Sequence, residues 1–125
     1  MASNVLIEGM NQEFIGKVVR FFCDALGIGV PNLHIFVDDT ISVAGACYQN
    51  DHDDYLIALR QQDGGQMIVT LAHELVHVKQ YVLDGLAQKL DTAIPYQERW
   101  WEVEAYEKEV ELTKLLIEAV DRKEI

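Results

Sequence analysis

The chain has 125 residues, half of them hydrophobic and a quarter charged, with a formal net charge of −11. That length suits one hydrophobic core and a single domain over residues 1–125, and an acidic surface repels phosphate backbones and anionic lipid, so neither nucleic acid nor a membrane is expected as a partner. No apolar run reaches the roughly 18 residues of a membrane span, and Glu8, Glu13, Lys17 and Arg20 interrupt the apolar positions near the start, which is no signal peptide and makes the cytoplasm the expected compartment.

Residues 12–26 carry Phe14, Ile15, Val18, Val19, Phe22 and Leu26 at helical spacing. Gly27, Gly29 and Pro31 end that N-terminal helix. Three short strand-like runs follow at 33–37, 41–49 and 55–59, separated by turn-forming clusters rich in Asp and Asn. Such short spacings favour an antiparallel meander over crossover units. Asp63-Gly64-Gly65 opens a helix that runs to about Leu83, and a final helix covers roughly residues 96–120. The expected fold class is α+β: an N-terminal helix, a small three-stranded and mainly antiparallel sheet, and two long helices packed on it. Cys23 and Cys47 have no CxxC spacing and read as buried, reduced thiols.

Residues 73–77 read His73-Glu74-Leu75-Val76-His77. Two histidines four apart on a helix lie on one face about one turn apart, so both rings can reach one ion, and Glu74 lies about 100° round from His73, beside that ion without competing for it. On the same helix Gln66, Thr70, His73, Glu74, His77, Gln80, Tyr81 and Asp84 share an arc of roughly 120°, and Lys79 alone interrupts an apolar arc about twice as wide. A helix so patterned is largely buried, with its polar stripe facing a cleft. Two imidazoles and a carboxylate are costly in such a wall unless a cation satisfies them.

A catalytic zinc takes three protein ligands and leaves one position open. No histidine follows His77, so the third ligand is a carboxylate of the last helix. Helical projection sets Glu102 on the core-facing side with Ala105, Tyr106, Val110 and Leu116, and Glu104 on the solvent side. Glu102 is the expected ligand. Glu98 and Glu109 are the alternatives, and one of them, or Tyr106, can instead orient a ligand. His34 reads as a sheet histidine with a local hydrogen bond, and Asp51-His52-Asp53-Asp54 as a solvated acidic turn.

His73-Glu74-Leu75-Val76-His77 followed by Glu102-Val103-Glu104-Ala105-Tyr106, a Glu-x-x-Ala pattern on a later helix, resembles the zincin metallopeptidases of the glutamate-ligand branch, the gluzincins. The likeness extends to small ImmA/IrrE-type peptidases and compact phage or bacterial metallopeptidases. SprT-like proteins share the layout but close their site with a third histidine, absent here. The resemblance implies Zn2+ on His73, His77 and Glu102, a water nucleophile, a peptide or protein substrate, and a sheet edge that binds extended chain.

On this reading Glu74 is the general base, one of Tyr106, Tyr81 or Tyr48 supplies a donor to the oxyanion, and the substrate pairs with the strand at 55–59. The competing expectation is a non-catalytic zinc-binding interaction module, which ligation by Cys47 or Cys23 would favour. Substrate identity and oligomeric state are not written in the motif.

Overall fold

The computed structural model describes residues 4–51, 53–89 and 93–125. In chain order its elements are β1 (Val5–Glu8), α1 (Gln12–Ala25), β2 (Asn32–Val37), β3 (Gly45–Asp51), β4 (Asp54–Leu59), α2 (Gly64–Leu83), the short α3 (Leu86–Lys89), a 3-10 turn (Tyr96–Glu98) and α4 (Trp100–Asp121).

Local chemistry explains the helix ends. The side chains of Asn11 and Asp63 accept the backbone N–H groups of Phe14 and Gln66 at 2.9 and 3.0 Å, capping α1 and α2. After α1 the chain turns through Gly27 at φ 76°, with Ile28 N–H donating to Cys23 C=O and Gly27 N–H to Asp24 C=O. That is a Schellman cap, and glycine takes its left-handed backbone without strain.

The class is α+β, but the sheet differs from the expected meander. It has four strands in the order β1-β2-β4-β3. β1 pairs parallel to β2, and β2 parallel to β4; only β3 is antiparallel, to β4. Two physical reasons account for the difference. β1 is a four-residue strand with only Ile7 buried, too short to signal itself, yet it makes α1 the crossover of a parallel unit. Burial then sorts the strand positions. β4 contributes Tyr55, Ile57, Ala58 and Leu59, all at most 2% exposed, and takes the sheet interior. β3 begins at Gly45 rather than at residue 41, has no buried residue and sits at the edge. The strand expected to bind substrate is therefore paired on both sides, and β3 holds the open edge instead.

One apolar cluster joins Val18, Val19 and Phe22 of α1, Ile35 of β2, Ile57 of β4, Leu71 and Leu75 of α2, and Leu112 of α4. Residues 70–78 of α2 are all buried, as the wide apolar arc requires. Ala105, fully buried, meets the expectation of a small residue on the core side of α4, where that helix packs against α2. His34 bonds to Glu8 across the β1–β2 pair, while His52 lies outside the described residues. No helix among the described residues is long and apolar enough to cross a membrane.

Gly45 fixes how closely β3 approaches α2. A Cβ there would stand 2.6 Å from Thr70 Cγ2 and 3.2 Å from Glu74 Oε2 and Leu59 Cδ2. Gly45→Val should therefore lower stability by about 1–3 kcal/mol through overpacking. Thermal denaturation would detect this as a lower Tm; an unchanged Tm would contradict the close approach.

Candidate metal centre

α2 supplies His73, Glu74 and His77, which are 9%, 5% and 8% exposed. Buried ionisable groups on one helix need partners from another, and the first turn of α4 provides one. Glu102 Oε1 lies 3.0 Å from His73 Nε2 and 3.1 Å from His77 Nε2. The positive end of the α4 helix dipole also favours an anion at this position. Among the described residues these three side chains are the only group of His, Cys, Asp or Glu whose donor atoms all lie within 4.8 Å of one another.

The outer nitrogens of both rings are occupied. His73 Nδ1 is 3.0 Å from Glu109 Oε1, and His77 Nδ1 is 2.8 Å from Gln80 Oε1. Gln80 has 0% exposure, and its Nε2 donates to Trp101 C=O and Glu104 Oε1, both at 2.9 Å. Those two acceptors fix the amide orientation, so its oxygen must face His77. Glu104 and Asp84 in turn bind Lys79 Nζ at 3.1 and 2.9 Å. With each Nδ1 held by an acceptor, each imidazole directs Nε2 at Glu102, and loss of the Nε2 proton leaves that nitrogen to a metal.

The donor set fits a divalent ion. Ligands about 2.0–2.1 Å from a tetrahedral Zn2+ lie roughly 3.4 Å apart. The nitrogen-to-carboxylate separations here are 3.0 and 3.1 Å, so a few tenths of an ångström of widening admits the ion. In the metal-free cluster protons take that place. Burial opposes charge on His73, but hydrogen bonds to Glu102 and Glu109 outweigh it and hold the ring at about 8. His77 is raised too, its hydrogen bond to Glu102 and the charge of Glu74 overcoming burial. Burial also works against the Glu102 anion, yet hydrogen bonds from both imidazoles take it down to about 2. Glu74 has no such donors, and burial pushes it up to about 7 against the pull of His77 and His73.

The cluster opens on a cavity of about 590 Å³, walled on one side by Val43, Ala44, Gly45, Ala46 and Cys47 and on the other by Tyr96, Tyr106 and Glu109. Arg60 N–H donates to Ala44 C=O, so alternation along the β3–β4 pair turns the N–H and C=O groups of Gly45 and Cys47 to the open sheet edge beside the cavity. Gln62 holds the start of this wall: its Nε2 donates to Ala44 C=O and its Oε1 accepts from Thr70 Oγ1.

The structure brings His73, Glu74, His77 and Glu102 together and sorts the alternatives. Glu109 supports a ring nitrogen rather than joining the donor cluster, and Glu98 is exposed on the 3-10 turn. Of the three tyrosines, Tyr106 lines the cavity, its ring centroid 4.7 Å from that of His73. Tyr81 packs on Tyr55 beside a different cavity, and Tyr48 is 52% exposed on β3 and lines neither. Glu104, expected in solvent, is a half-buried support for Gln80, because the Lys79 ammonium reaches across to α4. Gln80 showed itself in the sequence only as a member of the polar stripe. Tyr96, whose hydroxyl lies 3.1 Å from that of Tyr106, gave no sequence signal. Cys47 lines the cavity and Cys23 is buried, both as free thiols and neither in the donor cluster. Comparison of the chain with protein-family models, curated proteins and solved structures finds no match.

Gln80→Leu keeps the volume but removes the acceptor, and should weaken Zn2+ binding about 10–100-fold in a competition titration against a chelating dye. Wild-type affinity would show that Gln80 does not orient His77. The protonation pattern makes a second prediction. Folding raises the Glu74 and His73 values, so their contributions fall as pH rises from 4.5 to about 7 and from 6.5 to about 8, respectively. Glu102 has the opposite sign, its contribution being lost as pH falls from 4.5 toward about 2. Metal-free protein should therefore melt higher near pH 5 than near pH 8, and Zn2+ should raise Tm more at the higher pH, where fewer protons compete.

Proposed function

We propose that this chain is a zinc-dependent hydrolase that cleaves peptide bonds, with His73, His77 and Glu102 holding the ion and Glu74 as general base. The observation that carries the reading is the single Glu102 oxygen shared by two Nε2 atoms on the wall of a cavity that also contains a buried carboxylate. Bound there, Zn2+ would supply Lewis acidity, lowering the pKa of water toward neutrality and polarising a carbonyl oxygen.

Glu74 accepts the proton of the attacking water at its carboxylate and returns it to the leaving nitrogen. Its low exposure keeps bulk water from competing for that proton. Tyr106 and Tyr96 line the same cavity, and Tyr106 is the proposed donor to the developing oxyanion. An extended peptide would pair with the open edge of β3, using the outward N–H and C=O groups of Gly45 and Cys47. The absence of side-chain bulk at Gly45 leaves the Glu74 carboxylate reachable beside that edge. Free cysteines outside the cluster speak against a closed, four-ligand structural zinc, so catalysis is preferred to an interaction module on the same scaffold.

Glu74→Gln should retain about one equivalent of zinc by metal analysis while losing roughly 10²–10⁴-fold in turnover of an unstructured protein substrate such as casein. His77→Ala should lose the metal as well. Undiminished turnover by Glu74→Gln, or a wild-type chain that takes up no zinc, would sink the proposal.

A further inference from the structure

α4 has two apolar faces where a surface helix ordinarily has one. Ala105, Leu112, Leu116 and Ala119 turn into the protein. About a third of a turn round the helix Val103, Tyr106, Val110, Ile117 and Val120 are 42%, 52%, 70%, 57% and 43% exposed, so Tyr106 and Val110, expected on the core-facing side, lie outside it. With half-buried Thr113 they recur at alternating steps of three and four, the rhythm of the seam between two paired helices. Toward α2 this stripe borders a cavity of about 480 Å³ lined by Val69, Val110, Thr113 and Ile117. An apolar stripe of this extent, rimmed by charge, marks an interface rather than a solvated face.

We propose that the seam pairs with the same seam of a second copy, antiparallel and about a two-fold axis. In the register that sets Val110 against Thr113 of the other copy, Val103 meets Val120 and Tyr106 meets Ile117. The reciprocal contacts follow by symmetry, and every seam position finds a partner.

The flanking charges select this occupant. Glu107 and Lys114 each follow a seam position by one or four residues, and in the antiparallel register Glu107 of each copy approaches Lys114 of the other, giving two opposite-charge pairs. A parallel pairing would instead set them against the other flank, where Glu109 and Glu102 already hold His73 and Leu116 faces the core. The general charge of −11 opposes association only weakly at this range, because salt screens it over about 8 Å. Tyr106 belongs both to the seam and to the metal cavity, so the second copy would close the solvent side of that tyrosine and complete the outer wall of the cleft. The pairing stands on α4 alone and does not depend on zinc.

Sedimentation velocity of the full chain at about 1–200 µM tests it, a range suited to a short seam of micromolar affinity. A concentration-dependent dimer is expected. Val110→Lys should raise its dissociation constant at least tenfold and Lys114→Glu several-fold, while Lys114→Glu combined with Glu107→Lys should restore it. These positions are exposed, so circular dichroism should show the wild-type fold for each variant. A monomer throughout the range overturns the proposal, as does a dimer indifferent to Val110→Lys; failure of the double reversal to restore pairing overturns the antiparallel register.

Discussion

One carboxylate oxygen organises the centre of this protein. Glu102 Oε1 is within hydrogen-bond reach of two imidazoles that α2 has carried into a nearly dry wall. Isolated there, any of the three groups would be expensive: an anion among apolar side chains, or two rings with unmet nitrogens. Brought together they satisfy one another, and only where α4 lies close to α2. Ala105, one turn beyond Glu102 and fully buried, permits that closeness. The geometry of two helices and the protonation of four side chains are consequently a single problem.

The polar groups around this point have been given partners throughout. Among the described residues no buried side-chain nitrogen or oxygen lacks a hydrogen-bond partner. A continuous path runs from the half-buried ammonium of Lys79 through Glu104 and Gln80 to His77, and a shorter one from Glu109 to His73. Satisfied networks of this sort hold side chains in one rotamer and one tautomer, which preorganises a site before any ligand arrives. Glu74 is the exception in kind. It is buried beside the cluster without taking part in its short contacts, and its proton affinity rises accordingly. A carboxylate left basic by its surroundings suits the proton-transfer role proposed for it.

The sheet contributes by its edge rather than by its middle. Placing β4 inside and β3 outside sets an open strand along the cavity, and Gly45 lets that strand come within contact of Thr70 and Glu74. The opposite wall depends on α4, whose outward stripe, through Tyr106, is continuous with the cavity lining.

Periodicity and spacing were enough to identify α1, α2 and α4, the burial of α2, and the side chains that meet at its polar stripe. Those are consequences of helical geometry, which repeats over a few residues and so is written locally: His73 and His77 share a face wherever that helix is placed. That Glu102 turns toward His73 and His77 was legible for the same reason, although Tyr106 and Val110, expected on the core-facing side with it, are exposed. Strand order was not. Whether β4 lies at the edge or the centre depends on a competition between β3 and β4 for burial, and a four-residue β1 without a pattern of its own made the sheet mainly parallel. Glu104 was misplaced because its partners, Gln80 and Lys79, sit more than twenty residues away on another helix, and projecting a single helix cannot reveal a cross-helix ion pair. The sequence by itself determined which chemical groups could converge. Only the tertiary structure decided which nitrogen each group points inward, which strand edge stays open beside them, and which acid supports rather than joins the cluster, because each of those depends on contacts between elements distant in the chain.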